Sequence, residues 1–272
     1  MSKTFFRIWI AVLAGIFLFS GYKLFSILNT YRVNAKNVGE LQSIFHSTMD
    51  IDRTEDGQMT QEVLEDGTPA PIMTPEEKRN KAAREAIAAL KAINPDTVAW
   101  IIIPGANVDH VIVQGTNDSW YLYRSFYEEP NDCGTMFMEA ENKLGEPLQN
   151  YIIFGHRMKD GSMFAHLNVY LDQEFYDENP TFTMYFEDGE YECQVFAAYR
   201  CLWSDNYAQV SFASEEEMEQ YIQTCFSRSE IQTDVVVEPG DFIVTLSTCD
   251  RPTDPVEGRL VIQAKLVKLG EQ

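Results

Sequence analysis

Basic residues are scarce in this chain of 272 residues: 21 Lys and Arg stand against 42 Asp and Glu, a formal net charge of −21. A protein that neutralises phosphates needs a clustered basic surface, so the balance argues against nucleic acid as a partner. Histidine is rarer still, with four, and the five cysteines, at 133, 193, 201, 225 and 249, form no C-x-x-C pair and no zinc spacing with those histidines. An odd count leaves at least one thiol unpaired within the chain. Cys193 and Cys201 fall on one expected strand and stand roughly 26 Å apart when it is extended, too far for a disulfide unless the strand folds back. No internal repeat is evident.

What the chain does have begins with an apolar N-terminus. "MSKTFFRIWIAVLAGIFLFSGYKLFSIL" carries no charge from Ile8 to Tyr22 and continues past Lys23 to Leu28. With Lys23 snorkelling, residues 8–28 can cross a hydrocarbon core of roughly 30 Å. The absence of a clear A-x-A cleavage pattern favours an uncleaved anchor over a removed signal. Lys3 and Arg7 before the span balance Arg32 and Lys36 after it, so charge alone leaves the orientation open. Residues 29–73 read as a juxtamembrane segment and linker. Val38, Leu41, Ile44 and Phe45 suit a short amphipathic helix, and the acidic, aromatic-poor stretch from His46 to Met73 reads as a tether that cannot repay its ordering entropy.

The folded domain is expected over residues 74–272. It opens with "TPEE", in which Thr74 caps a helix, Pro75 takes its first position and Glu77 closes a capping box. That helix runs to about Ala92 and buries Ala83, Ala86, Ile87 and Leu90. Beyond "NPD" the periodicity changes to two, with strands expected at 98–103, 108–114, 134–138, 150–155, 181–187, 190–202, 241–249 and 259–268. Eight strands in one domain imply a mainly β fold, a closed barrel or a sandwich. One helix interrupts them late: Ser214 caps it, and Met218, Tyr221, Ile222 and Cys225 share a face.

The last two strands hold the chemistry. In "DFIVTLSTC" Phe242, Val244, Leu246 and Thr248 take one face while Thr245, Ser247 and Cys249 take the other; in "RLVIQAKLV" Arg259 lies opposite the apolar face. The nine residues between, "DRPTDPVEG", allow Cys249 and Arg259 to become cross-strand neighbours with Cβ atoms about 5 Å apart. A guanidinium beside a thiol favours the thiolate and offers donors to an oxyanion. His156, after Gly155 where an apolar strand ends, is the candidate proton acceptor. Taken singly, a buried cysteine and a loop histidine are ordinary structural residues.

Taken together, "TLSTC" with Arg ten residues on, "IIFGHRMKDGSMF" upstream and "NPDTVAWIIIPGANVDHVIVQGTNDSWYL" before both resemble the sortase family, class B, from about Pro75 to Lys268. The resemblance implies a closed eight-stranded sortase-type β-barrel with an N-terminal helix and a helix inserted between the sixth and seventh strands, behind one transmembrane helix. It implies a membrane-anchored cysteine transpeptidase of a Gram-positive-type cell, with residues 1–7 cytoplasmic, the catalytic domain outside and the N-terminal helix in lipid. Such enzymes cleave a C-terminal sorting signal, Asn-Pro-x-Thr-x or a relative, after Thr. They pass the acyl group through a thioester to an amine on a peptidoglycan precursor or a pilin, anchoring surface proteins to the wall. No metal or cofactor is required. By the same resemblance Cys249 is the nucleophile, His156 the general acid and base, and Arg259 the stabiliser of substrate and oxyanion, while Ser247, Phe154 and Leu122 line the peptide groove. The family often has Asn four residues before that Leu; here Asp118 holds the position, with Asn117 adjacent. Asp250 is either an orienter of His156 or a solvated loop acid, and His110 and His166 read as structural. The competing readings are a pilus-polymerising sortase and a non-catalytic, membrane-tethered binding module.

Overall fold

The computed structural model describes residues 3–54 and 73–270. Its first element, α1, is one helix from Lys3 to Thr54. It therefore joins the expected anchor, the amphipathic segment and the start of the expected tether, whose remaining residues 55–72 lie outside the described residues. The sequence from Asn29 to Thr54 contains no proline to stop the helix and a single glycine. The part up to Leu28 presents large apolar side chains outward, among them Trp9, Phe17, Phe19 and Phe25, and α1 is long and apolar enough to cross a membrane.

The remaining elements follow in chain order: α2 (Pro75–Lys91), β1 (Thr97–Ile103), β2 (Val108–Val113), β3 (Met136–Met138), β4 (Asn150–Phe154), α3 (Gln173–Glu178), β5 (Thr181–Phe186), β6 (Gly189–Leu202), α4 (Glu215–Arg228), β7 (Ile243–Cys249) and β8 (Gly258–Lys268). The capping box at Thr74 is formed in full: its hydroxyl accepts from Glu77 N and its own N–H donates to the Glu77 carboxylate. The strands close into a barrel in the order β1-β2-β3-β4-β7-β8-β6-β5. Two of its seams, β2 with β3 and β4 with β7, are parallel, and the others are antiparallel. β3 starts later than its apolar pattern suggests. Gly134 sits at a φ of +62°, where a Cβ would lie 2.6 Å from the Leu122 carbonyl oxygen, and the turn it makes delays the strand.

Three apolar clusters follow from this arrangement. Ala99, Ile101, Ile153, Met184, Leu246, Ile262 and their neighbours fill the barrel. α4 lays Met218, Tyr221, Ile222 and Cys225 over the outside of β6, β7 and β8. α1 and α2 cover β1 and β2 through Leu41, Phe45, Ile87, Leu90 and Trp100. In the last cluster Phe45 stacks on Trp100 with ring centroids 4.4 Å apart and planes 6° from parallel. Asp109 completes the junction, accepting from Trp100 Nε1 at 2.7 Å and lying 2.8 Å from His46 Nε2, while its carbonyl accepts from Gln42 Nε2. The folded unit thus reaches back into α1, well before Thr74.

Burial of Phe45 predicts a large cavity on its removal. Phe45→Ala is expected to destabilise the domain by about 3 to 5 kcal/mol, measured by chemical denaturation of the full chain in detergent. An unchanged midpoint would show that α1 does not dock.

Candidate active site

The final hairpin has the expected register. Cys249 pairs with Arg259 on β8, and Arg259 pairs on its other side with Cys201 of β6, so two thiols flank one guanidinium along a single rung. Their surroundings separate them. Cys201 lies in the cluster under α4, and burial pushes its thiol up to about 12; Cys249 stands at the barrel rim and is exposed. The other three are buried as well, which raises the thiol of Cys133 to about 12, that of Cys225 to about 11 and that of Cys193 well above its ordinary value. No cysteine among the described residues is paired, and Cys193 and Cys201 share β6 as the spacing required.

His156 reaches the thiol's neighbourhood through the parallel seam. β4 and β7 pair up to Phe154 and Ser247, and Gly155 N donates to Ser247 O at 3.2 Å. His156 and Cys249 are each two residues past that last pair. The imidazole is half-buried, its Nε2 2.7 Å from the Leu122 carbonyl and its ring 5.7 Å from that of Tyr123. A carbonyl only accepts, so Nε2 carries the proton and Nδ1 is the nitrogen left to exchange one. Leu122 therefore meets His156 through its backbone carbonyl, and its side chain is half-buried.

Arg259 is held firmly. Its Nη1 donates to the carbonyls of Val256 and Gly258 at 3.1 and 2.9 Å, and the guanidinium stacks 5.1 Å from the Trp203 ring. Trp203 packs on Phe154 and Tyr207, and the Tyr207 hydroxyl lies 2.9 Å from Ser247 Oγ. Ser247 is buried under this layer. Trp203 and Tyr207 escape a reading by strand alternation because they lie in the connection between β6 and α4.

Asp250 is not a solvated loop acid, and its partners are side chains other than His156. Its residue exposure is 2%, and its carboxylate accepts from Arg157 Nη1 at 2.6 Å and Thr253 Oγ1 at 2.7 Å and pairs with Arg200 Nε at 3.4 Å; it is a buried ion-pair centre. Its carbonyl would meet a Cβ on Gly258 at 2.2 Å, which explains the glycine that opens β8. Asp118 accepts from Ala140 N at 2.8 Å, and Asn117 is spent on the Ser119 N–H and hydroxyl in its own turn. Burial, reinforced by Asp118, lifts the neighbouring Glu139 carboxyl to about 7. His110 is buried in β2, which lowers it to about 4, and His166 lies exposed at the start of a short 3₁₀ turn, Leu167–Leu171.

Comparison with known proteins places this architecture. A sequence model for the sortase domain matches residues 101–267. Over 258 residues the chain is 32% identical to sortase B of Listeria monocytogenes, covering 94% of each. The chain belongs to the sortase family, class B. It is 33% identical over 192 residues to sortase B of Staphylococcus aureus, covering 71% of this chain and 79% of that one. The S. aureus sortase B–substrate complex matches its fold with a TM-score of 0.72 at 28% identity, over 88% of this chain and 98% of that one. Sortase B from B. anthracis in complex with AAEK1 matches with 0.69 at 30%, over 89% and 99%. This sortase is a cysteine transpeptidase on a closed eight-stranded barrel, and the non-catalytic reading falls.

Two measurements follow. Iodoacetamide at pH 8 is expected to label the native enzyme on Cys249 alone and to reach the other four cysteines after unfolding, as read by peptide mass spectrometry. Adducts on Cys201 in the native state would contradict its burial. For Glu139, a folded-state value above the unfolded one means stability is lost as pH rises from about 4.5 to about 7. Glu139→Gln should therefore gain on the wild type across that window, in denaturation midpoints taken at successive pH values, and a constant difference would refute the shift.

Proposed function

We propose that this sortase is anchored by residues 8–28, faces its catalytic domain outward, and cleaves an Asn-Pro-x-Thr-x-type sorting signal after Thr to anchor surface proteins to the cell wall. Cys249 attacks the Thr carbonyl and becomes a thioester. Arg259 donates to the oxygen as negative charge develops there. His156 protonates the leaving amine, then takes a proton from the incoming amine as it attacks the thioester. Phe154, Ser247 and Leu122 line the groove for the peptide, with Trp203 packed on Phe154 and Tyr207 bonded to Ser247. The reading is carried by one observation: the exposed cysteine shares its rung with a fixed guanidinium, at the end of the parallel seam that also delivers His156. Solved sortase B structures described as a substrate complex and as a complex with triglycine support a peptide donor and an amine acceptor.

Replacement of each cysteine by Ala tests the nucleophile: turnover of Asn-Pro-x-Thr peptides should vanish only in Cys249→Ala. Residual turnover there would end the thiol mechanism. Arg259→Lys should keep the fold yet lose on the order of 10²–10³ in rate, because an ammonium cannot reproduce the planar fork; near-normal turnover would reduce Arg259 to a source of charge. Protease added to wall-stripped cells should digest the domain, and its protection would refute the topology.

A further inference from the structure

Past the last rung of the parallel seam, the His156 segment is tied to the Cys249 segment by one backbone hydrogen bond among the described residues, that from Gly155 N to Ser247 O. The next link is made by side chains. Arg157, immediately after His156, donates Nη1 to Oδ1 of Asp250, immediately after Cys249, at 2.6 Å. The same carboxylate takes Thr253 Oγ1 from its own loop at 2.7 Å and Arg200 Nε at 3.4 Å. Arg200 precedes Cys201, the rung partner of Arg259. One buried carboxylate therefore follows Cys249 in the chain, touches the cation that follows His156, and touches a second cation beside the rung of Arg259.

A carboxylate with 3% of its side chain exposed is strongly disfavoured unless paired, and well-packed apolar residues often stabilise such a spot as well as an ion pair does. What an apolar pair cannot supply is a directed 2.6 Å contact that sets the distance between two loops. We propose that Asp250 and Arg157 form a positioning clamp that fixes the imidazole of His156 relative to the sulfur of Cys249. Arg200 is the second cation that lets the carboxylate remain charged when buried. The clamp acts on the step in which His156 hands its proton to the leaving amine, where a misplacement of about 1 Å can cost about 10²-fold. Asp250 touches neither the peptide nor the reacting atoms; it works through its neighbours.

The proposal rests on Cys249 and His156 having the roles given above. Asp250→Asn, Arg157→Gln and the double variant are compared in the full chain, with turnover of an Asn-Pro-x-Thr peptide and acylation of Cys249 by p-nitrophenyl acetate, whose leaving group needs no proton, as readouts. Each single variant is expected to lose about 10²-fold in kcat with KM within about threefold, and the double to lose no more than the worse single, because one contact has been broken twice. Acylation by the ester is expected to stay within about threefold in Arg157→Gln. Independent, multiplying losses in the double, wild-type kcat in Arg157→Gln, or equal losses with both substrates would overturn the clamp. Arg157, partly exposed, keeps the test decisive if Asp250→Asn does not fold. A Cys249→Ala variant that still turned over peptide would instead overturn the underlying reading, so the two failures are distinguishable.

Discussion

Strand β7 is the reference line of this molecule. It has β4 alongside in parallel and β8 in antiparallel register, and all three candidate reactive residues are located by counting along those two seams. Because side chains alternate faces, a slip of one residue in either seam would turn Cys249 or Arg259 into the barrel and put an apolar side chain at the rim. The register is pinned from both sides. Val244, Leu246, Leu260 and Ile262 are committed to the interior. On the outer face Thr245 is engaged by Asn150 and by Gln263, which also donates to Tyr221 of α4.

Much of this arrangement was legible in the residues. Alternation located all eight strands to within a few positions, since half-buried strands carry the period-two pattern without ambiguity, as Phe182, Met184 and Phe186 show on β5. The cross-strand meeting of Cys249 and Arg259 was legible for the same reason. Three features were not. Trp203 and Tyr207 sit in a connection with no periodicity to read. Asp250 was invisible as an ion-pair centre because its cations come from β6 and from the segment after β4, a tertiary coincidence of three distant stretches. The full length of α1 was not legible because the acidic stretch after Phe45 reads as solvated tether, whereas the helix runs unbroken from Lys3 through the amphipathic segment to Thr54.

The acidity of the chain also acquires a shape. Few of the 21 basic residues in the sequence are placed at the site, and those few have defined partners: Arg259 on Trp203, Arg157 and Arg200 on Asp250. Positive charge at the rim is thus held in place by aromatic stacking and by a buried counter-ion, both less sensitive to salt than surface pairs such as Lys81 with Glu85.

The unbroken course of α1 bears on where the enzyme can work. A helix rises about 1.5 Å per residue, so the six steps from Leu28 to Asn34, the first buried residue of its docked half, span only about 9 Å. A flexible leash would let the barrel wander through a hemisphere and meet peptides at any height. With residues 8–28 in a bilayer, as proposed, a stiff strut would hold the thiol within a thin layer parallel to the lipid surface, where encounter becomes a search in two dimensions. On that proposal, substrates themselves embedded by a hydrophobic tail would present their cleavage site at a constant elevation, and the strut would convert that elevation into a selection rule.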